Sequence, residues 1–270
     1  MIDDDLSFAV ALAARAGEIL MDRYERLERI DYKSARDVVT EADHMSEELV
    51  IDAIRARNAG DAILAEESGE HRAVEGEAPT SGRGRVWIID PLDGTVNYAN
   101  GIPFFCVSIG LVIDGRPSVG VVHDPSRAET FAATVDGPAV LMSTLGSPSH
   151  AIEASDKERL SDFVISMALS GRAVAARARN VRKAIRISRS MGSAALALAY
   201  VANGRFDAFI QQGGLSAWDI AAAGLIAERG GATVTAMDGG PWFDLAHTPK
   251  SIGVLSAPRA HHAELLALVR

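Results

Sequence analysis

Apolar positions recur at helical spacing over residues 4–29, where Phe8, Leu12, Ala16, Ile19 and Leu20 share a face and charges fill the rest. The spacing predicts a first helix there. A second begins at Thr40, where Thr40 and Asp43 form a T-x-x-D start signal and Met45, Leu49 and Ala53 continue one face. The pattern then shortens. Residues 62–65 and 86–89 are compact apolar runs of buried-strand type, the second interrupted by Asp90 and Pro91. Between them, 68–85 is rich in Gly, Glu, Ser, Pro and Thr and predicts an exposed loop or hairpin. Residues 105–113, 118–123 and 130–135 predict three further strands, the first two joined by a tight Asp114-Gly115 turn.

Residues 136–162 scatter Gly, Pro and Ser without a clear period. Order resumes at Ile185. A strand is predicted over 186–190, a helix over 193–203 ended by Gly204, and a strand over 206–211. A helix over 217–229 stops at Gly230-Gly231, strands follow at 233–235 and 252–255, and a helix closes the chain from 261. Helices and strands alternate irregularly around a central hairpin. That favours a layered α/β (α+β) architecture over a regular parallel series. No repeat is present, and the 270 residues read as one domain with halves of roughly 1–135 and 136–270.

Composition narrows the function. Hydrophobic residues are 48% and charged residues 23%, which suits a folded chain with a large core. Lys plus Arg is 27 against 36 Asp plus Glu, a net charge of −9, so no footprint for nucleic acid is present. The same balance repels anionic substrates unless a local cation corrects the field. Cys106 is the single cysteine, the N-terminal residues are acidic, and the longest apolar stretch, 104–113, is about half of what a membrane helix needs. The expectation is a soluble cytoplasmic protein with no membrane partner.

The chemistry concentrates after the run at 86–89, in Asp90-Pro91-Leu92-Asp93-Gly94-Thr95. Two carboxylates at the end of a buried strand repel unless a cation lies between them, and their oxygens suit a hard divalent ion such as Mg²⁺. Gly94 permits close backbone approach and Thr95 adds a hydroxyl; the bland alternative is an Asp-rich turn capping a helix. Glu66-Glu67-Ser68 reads equally as a solvated acidic loop, and Asp219, three after Ser216, as a capping residue. Asp43 after Thr40 shares that ambiguity, and Lys33 and Asp37 fit a solvated turn. The seven histidines show no zinc spacing, no G-x-S-x-G elbow occurs, and Cys106 sits in an apolar run as an inert thiol.

Taken together, these pieces resemble the inositol monophosphatase family. The strings are Ala65-Glu66-Glu67-Ser68; Trp87-Ile88-Ile89-Asp90-Pro91-Leu92-Asp93-Gly94-Thr95-Val96-Asn97-Tyr98; Gly192-Ser193-Ala194-Ala195; and Ala217-Trp218-Asp219-Ile220-Ala221-Ala222, in that order. Lys33-Ser34, Asp37 and Thr40 to Asp43 fit the family's first segment. The resemblance implies an α–β–α–β–α sandwich, usually a homodimer, and a Mg²⁺-dependent, Li⁺-sensitive phosphomonoesterase acting on a small phosphorylated metabolite. It implies two or three Mg²⁺ per site, held by Glu66, Asp90, the Leu92 carbonyl, Asp93 and Asp219. Asp43 and Thr95 would orient an attacking, metal-activated water, with Glu67 beside them in the catalytic set. Gly94 and Thr95 N–H groups would hold the phosphate. Gly192, Ser193 and Gln212 would face the substrate, with Lys33 as an additional contact.

Three departures bear on this. Ala65 replaces a common Gly, the usual G-x-G-A-x-x-N-G turn after residue 135 is missing, and Gln212 stands where inositol phosphatases tend to carry Glu. The substrate therefore ranges over myo-inositol 1-phosphate, fructose 1,6-bisphosphate, histidinol phosphate, 3′-phosphoadenosine 5′-phosphate and NADP⁺. Two other readings are weaker. A haloacid-dehalogenase-like phosphatase needs acids two apart, whereas Asp90 and Asp93 are three apart; a non-catalytic regulatory protein would have lost a ligand, and every ligand position is filled.

Overall fold

The computed structural model describes all residues except Met1, 27–29, 35–36, 72–83, 144–148, 170, 172–173 and 247–248, and only the backbone course at 30–34 and 37–38. Five layers alternate helix and sheet. The outer layer is α1 (Ile2–Arg23) and α2 (Glu41–Arg57), joined through a small hairpin of β1 (Ile30–Ser34) and β2 (Asp37–Thr40). They cover an eight-stranded sheet made of β3 (Ala62–Ala65), β4 (Gly69–His71), β5 (Arg85–Asp93), β6 (Cys106–Ile113), β7 (Arg116–Asp124), β8 (Glu129–Thr134), β9 (Val140–Ser143) and β10 (His150–Ala151). Its order is β10-β9-β8-β7-β6-β5-β3-β4, with β3 and β5 the one parallel pair. A short α3 (Thr95–Ala99) follows β5.

The middle layer is α5 (Ala194–Ala199) and α6 (Ala217–Arg229), packed between this sheet and a second one. The second sheet has β11 (Val164–Ala168), β12 (Ile187–Arg189), β13 (Ala208–Leu215), β14 (Ala232–Ala236) and β15 (Ile252–Pro258), in the order β12-β11-β13-β15-β14. The far layer is α4 (Ala175–Ala184) and α7 (Arg259–Val269). This is the α–β–α–β–α arrangement that the motifs imply. Apolar cores fill the spaces between the layers, and the one around the middle helices touches both sheets. Leu12 and Leu20 meet Ile89 and Val121; Leu198 and Ile226 meet Val122 and Phe131; Val181 and Leu265 meet Ile165 and Ile210.

Several elements differ from the periodicity. α1 ends at Arg23, short of 29. β5 runs through Asp90 and Pro91 to Asp93, with its register against β6 shifting between Asp90 and Asp93. Pro91 has no N–H to give the ladder, and a bulge absorbs the gap. The undecided stretch 136–162 supplies β9, β10 and a 3-10 turn at Leu160–Asp162, extending the large sheet. β1, β2, β11 and α4 carry no clear signal. α4 buries only Ala178 and Val181, too narrow a stripe for periodicity to reveal.

One contact sets how α6 sits. Gly110 and Gly120 pair across β6 and β7. A Cβ on Gly120 would lie 2.6 Å from the Ala222 carbonyl oxygen, and one on Gly110 would lie 3.2 Å from the Ala221 Cβ. Hydrogen side chains let the small-residue face of α6 approach the sheet closely. That approach carries the N-terminal end of α6 toward the end of β5. Among the described residues, no helix is long and apolar enough to cross a membrane.

Candidate active site

β5 delivers Asp90 and Asp93, and α6 delivers Asp219 from its first turn. One carboxylate oxygen from each lies within 4.8 Å of the others. Asp90 and Asp93 are buried and Asp219 is half-buried. Burial, and then the charges of Glu66, Asp93 and Asp219, push the Asp90 carboxyl well above the ordinary carboxylate range. Asp219 is pushed up by burial and by Asp93 and Glu66. Asp93 is raised by burial, against the hydrogen bonds it accepts from Ser193 and the start of α5. The Ser193 hydroxyl and the Ala195 N–H each donate to its Oδ2 at 2.6 Å.

Glu66 follows β3, and its charge acts on Asp90 and Asp219. The loop carrying it is pinned by a residue that the sequence did not single out. Glu47, buried on α2, accepts from the Glu67 N–H and the Ser68 N–H, both at 2.9 Å. The clue is a carboxylate on the core side of an amphipathic helix. Ser46 is similar: its hydroxyl donates to the Pro91 carbonyl at 3.0 Å.

Asp43 caps α2. Its Oδ2 accepts from the Thr40 N–H at 2.8 Å and the Thr40 hydroxyl at 2.6 Å. Its Oδ1 is 3.1 Å from the Thr95 hydroxyl, which is also 3.0 Å from the Leu92 carbonyl. Burial raises the Asp43 carboxyl to about 6, helped by the charge of Glu67. One side chain thus caps a helix and reaches Thr95, and Asp219 likewise caps α6, its Oδ2 accepting from the Ser216 N–H at 2.6 Å, while lying in the acid trio.

Gly94 begins α3 with φ near 100°, a left-handed conformation that favours glycine. A Cβ there would lie 3.0 Å from the Phe104 carbonyl and 3.2 Å from Ser193. Cys106 is fully buried beside Asp93, and burial pushes its thiol up, as fits an inert thiol.

A cavity of about 320 Å³ opens beside these acids, lined by Asp93 and Asp219, by Ser190, Gly192 and Ser193, and by Ser166, Phe209 and Gln211 of the second sheet. Gln211 is on its wall, with Nε2 donating to the Gly213 carbonyl at 3.2 Å. Gln212 is half-buried, and its Oε1 finds no partner among the described residues. Lys33 lies in β1, but its side chain is outside the described residues.

The donor set suits a hard cation. Buried carboxylates that repel one another, with no basic side chain among the described residues lining the cavity, leave a divalent ion as the natural compensating charge.

Known proteins resemble this chain along almost its whole length. The model of the inositol monophosphatase family matches residues 1–270. An inositol-1-monophosphatase of Mesorhizobium japonicum is 36% identical over 243 residues, covering 87% of this chain and 86% of its own. A Pasteurella multocida protein named Nus factor SuhB is 37% identical over the same length and coverage. The crystal structure of extragenic suppressor protein suhB from Bartonella henselae superposes with a TM-score of 0.87 at 29% identity, covering 99% of this chain and 98% of that one.

Proposed function

The chain belongs to the inositol monophosphatase family and is a phosphatase, and on that premise we propose that it is a Mg²⁺-dependent phosphomonoesterase of small phosphorylated alcohols such as myo-inositol 1-phosphate. The observation that carries the reading is the trio Asp90, Asp93 and Asp219, whose oxygens converge within 4.8 Å. Glu66, these three acids and the Leu92 carbonyl would hold Mg²⁺. Bound there, Mg²⁺ would offset the carboxylates' repulsion and supply Lewis acidity toward a phosphate ester and water.

The chain's own residues do the rest. The Thr95 hydroxyl has one proton and two acceptors in reach, Asp43 and Leu92. Given to Asp43, that proton leaves the Leu92 carbonyl to a cation and a Thr95 lone pair to accept from a water. The water is then oriented for in-line attack, and no covalent phosphoenzyme is needed. With its carboxyl at about 6, Asp43 is mostly ionised near neutral pH and can accept. Glu67 stands close enough to Asp43 for its charge to act on it. Gly94 and Thr95 N–H groups would receive phosphate oxygens, and the cavity wall of Gly192, Ser193 and Gln211 would receive the alcohol.

Phosphate release from a panel of phosphate esters, with Mg²⁺ and with EDTA, tests the reading. Hydrolysis that needs Mg²⁺ supports it, and undiminished hydrolysis in EDTA overturns it. A homodimer working in the cytoplasm is the expected setting, and analytical ultracentrifugation tests the assembly.

A further inference from the structure

Charge is distributed unevenly along this chain. Residues 163–206 contain eight of the 27 Lys and Arg and none of the 36 Asp and Glu. The stretch holds β11, α4, β12 and the Ser190 to Ser193 rim of the cavity. An acid-free cationic segment in a chain of net charge −9 therefore borders the pocket that must admit an anion.

Strand register selects one residue from it. Arg189 of β12 pairs with Ser166 of β11, and Ser166 pairs with Phe209 of β13. Laterally paired residues face the same side of a sheet. Ser166 and Phe209 both line the cavity, so Arg189 continues their row at the sheet edge, one strand spacing of about 4.8 Å beyond Ser166. Its neighbour Ser188 pairs with Ile165, which belongs to the opposite core. Arg189 is exposed, and among the described residues its guanidinium has no carboxylate partner, only a hydrogen bond to the Ser188 carbonyl at 3.2 Å. Arg186, by contrast, is paired with Asp162 at 3.0 Å.

The cavity wall between Arg189 and the acids is neutral: Ser166, Ser190, Phe209 and Gln211. Neutral groups give a bare polyol no charge-assisted grip. We propose that Arg189 takes a second phosphate of the substrate, so that the preferred substrate carries a phosphate beyond the ester that is cleaved. The proposal rests on the phosphatase reading above. A guanidinium fork suits a phosphate, and Arg189 stands on the edge strand next to the strand that lines the cavity, which leaves the reacting phosphate to the acids.

The test compares fructose 1,6-bisphosphate with fructose 1-phosphate, which differ by that second phosphate. Wild type should prefer the bisphosphate by about tenfold or more in kcat/KM. Arg189→Gln should erase most of that ratio through KM, and Arg189→Lys should fall between. Added NaCl should erode the preference of the wild type itself. A wild type without the preference, a ratio unmoved by Arg189→Gln, or a salt-insensitive ratio overturns the proposal. If neither ester is hydrolysed, the phosphatase reading fails for sugar phosphates. Equilibrium binding of the same two compounds with Mg²⁺ then decides Arg189 separately. Weaker bisphosphate binding by the variant upholds its role, and equal binding overturns it.

Discussion

The Thr95 hydroxyl lies 3.1 Å from Asp43 Oδ1, joining the first turn of α2 to the first residue of α3. The other oxygen of Asp43 is fully engaged by Thr40. A carboxylate clamped on one side can hold a hydroxyl on the other in a fixed orientation. Thr95→Val should lower kcat by about a hundredfold or more, in the range of lost general acid–base positioning, while Thr95→Ser should keep most of the activity. Steady-state kinetics on both variants check this. Equal activity of Thr95→Val and wild type would remove Thr95 from the reaction.

The acid trio makes a prediction about stability without turnover. Metal-free protein carries the repulsion among Asp90, Asp93 and Asp219. Mg²⁺ at about a hundred times its Kd should add about 2.7 kcal/mol, raising Tm by about 5–10 °C. Asp90→Asn should show no such rise, while its metal-free Tm should equal or exceed that of metal-free wild type. Differential scanning fluorimetry with EDTA and with Mg²⁺ reads both. A variant that still gains stability from Mg²⁺ would exclude Asp90 as a ligand.

Gly120→Ala should be costly. The new Cβ meets backbone of α6, the Ala222 carbonyl at 2.6 Å, which cannot swing away as a side chain could. Overpacking of this kind costs about 1–3 kcal/mol. Moving α6 also moves Asp219, so Mg²⁺ affinity should fall with stability. Urea unfolding and a Mg²⁺ titration should change together. An unchanged midpoint would mean the helix has room to retreat.

His123 predicts a pH effect. Its ring is buried, with Nδ1 2.8 Å from the Thr130 hydroxyl, and burial pushes its pKa down to about 4. In the unfolded chain a histidine titrates near 6.5, so below that pH the unfolded state binds a proton the folded state refuses. The contribution is intact above about 6.5, is lost as pH falls toward about 4, and then levels off. Between about pH 7 and pH 5 the loss is about 2 kcal/mol. The buried acids respond in the opposite sense, so the comparison is wild type against His123→Asn in EDTA. Wild type should lose about 2 kcal/mol more in urea unfolding; equal losses would show an ordinary histidine.

What the amino-acid order determined by itself is local. The two capping residues, Asp43 and Asp219, are legible because a cap needs only three residues of spacing. The Asp114-Gly115 hairpin and the broad helices are legible for the same reason, whereas Asp90-Pro91-Leu92-Asp93, read as breaking the strand, continues β5. The tertiary structure decided what meets what. Asp219 reaches Asp90 because Gly120 lets α6 approach the sheet. Glu47 fixes the Glu66 loop from another helix, and Ser193 fixes Asp93 from another layer. β11 and α4 escaped because a short strand and a helix with two buried residues leave almost no periodic trace. Whether Arg189 is a surface charge or part of a pocket depends on its neighbour in the sheet, Ser166. Spacing along one chain segment encodes caps and turns, whereas a site gathered from separate layers exists only once burial has brought those layers together.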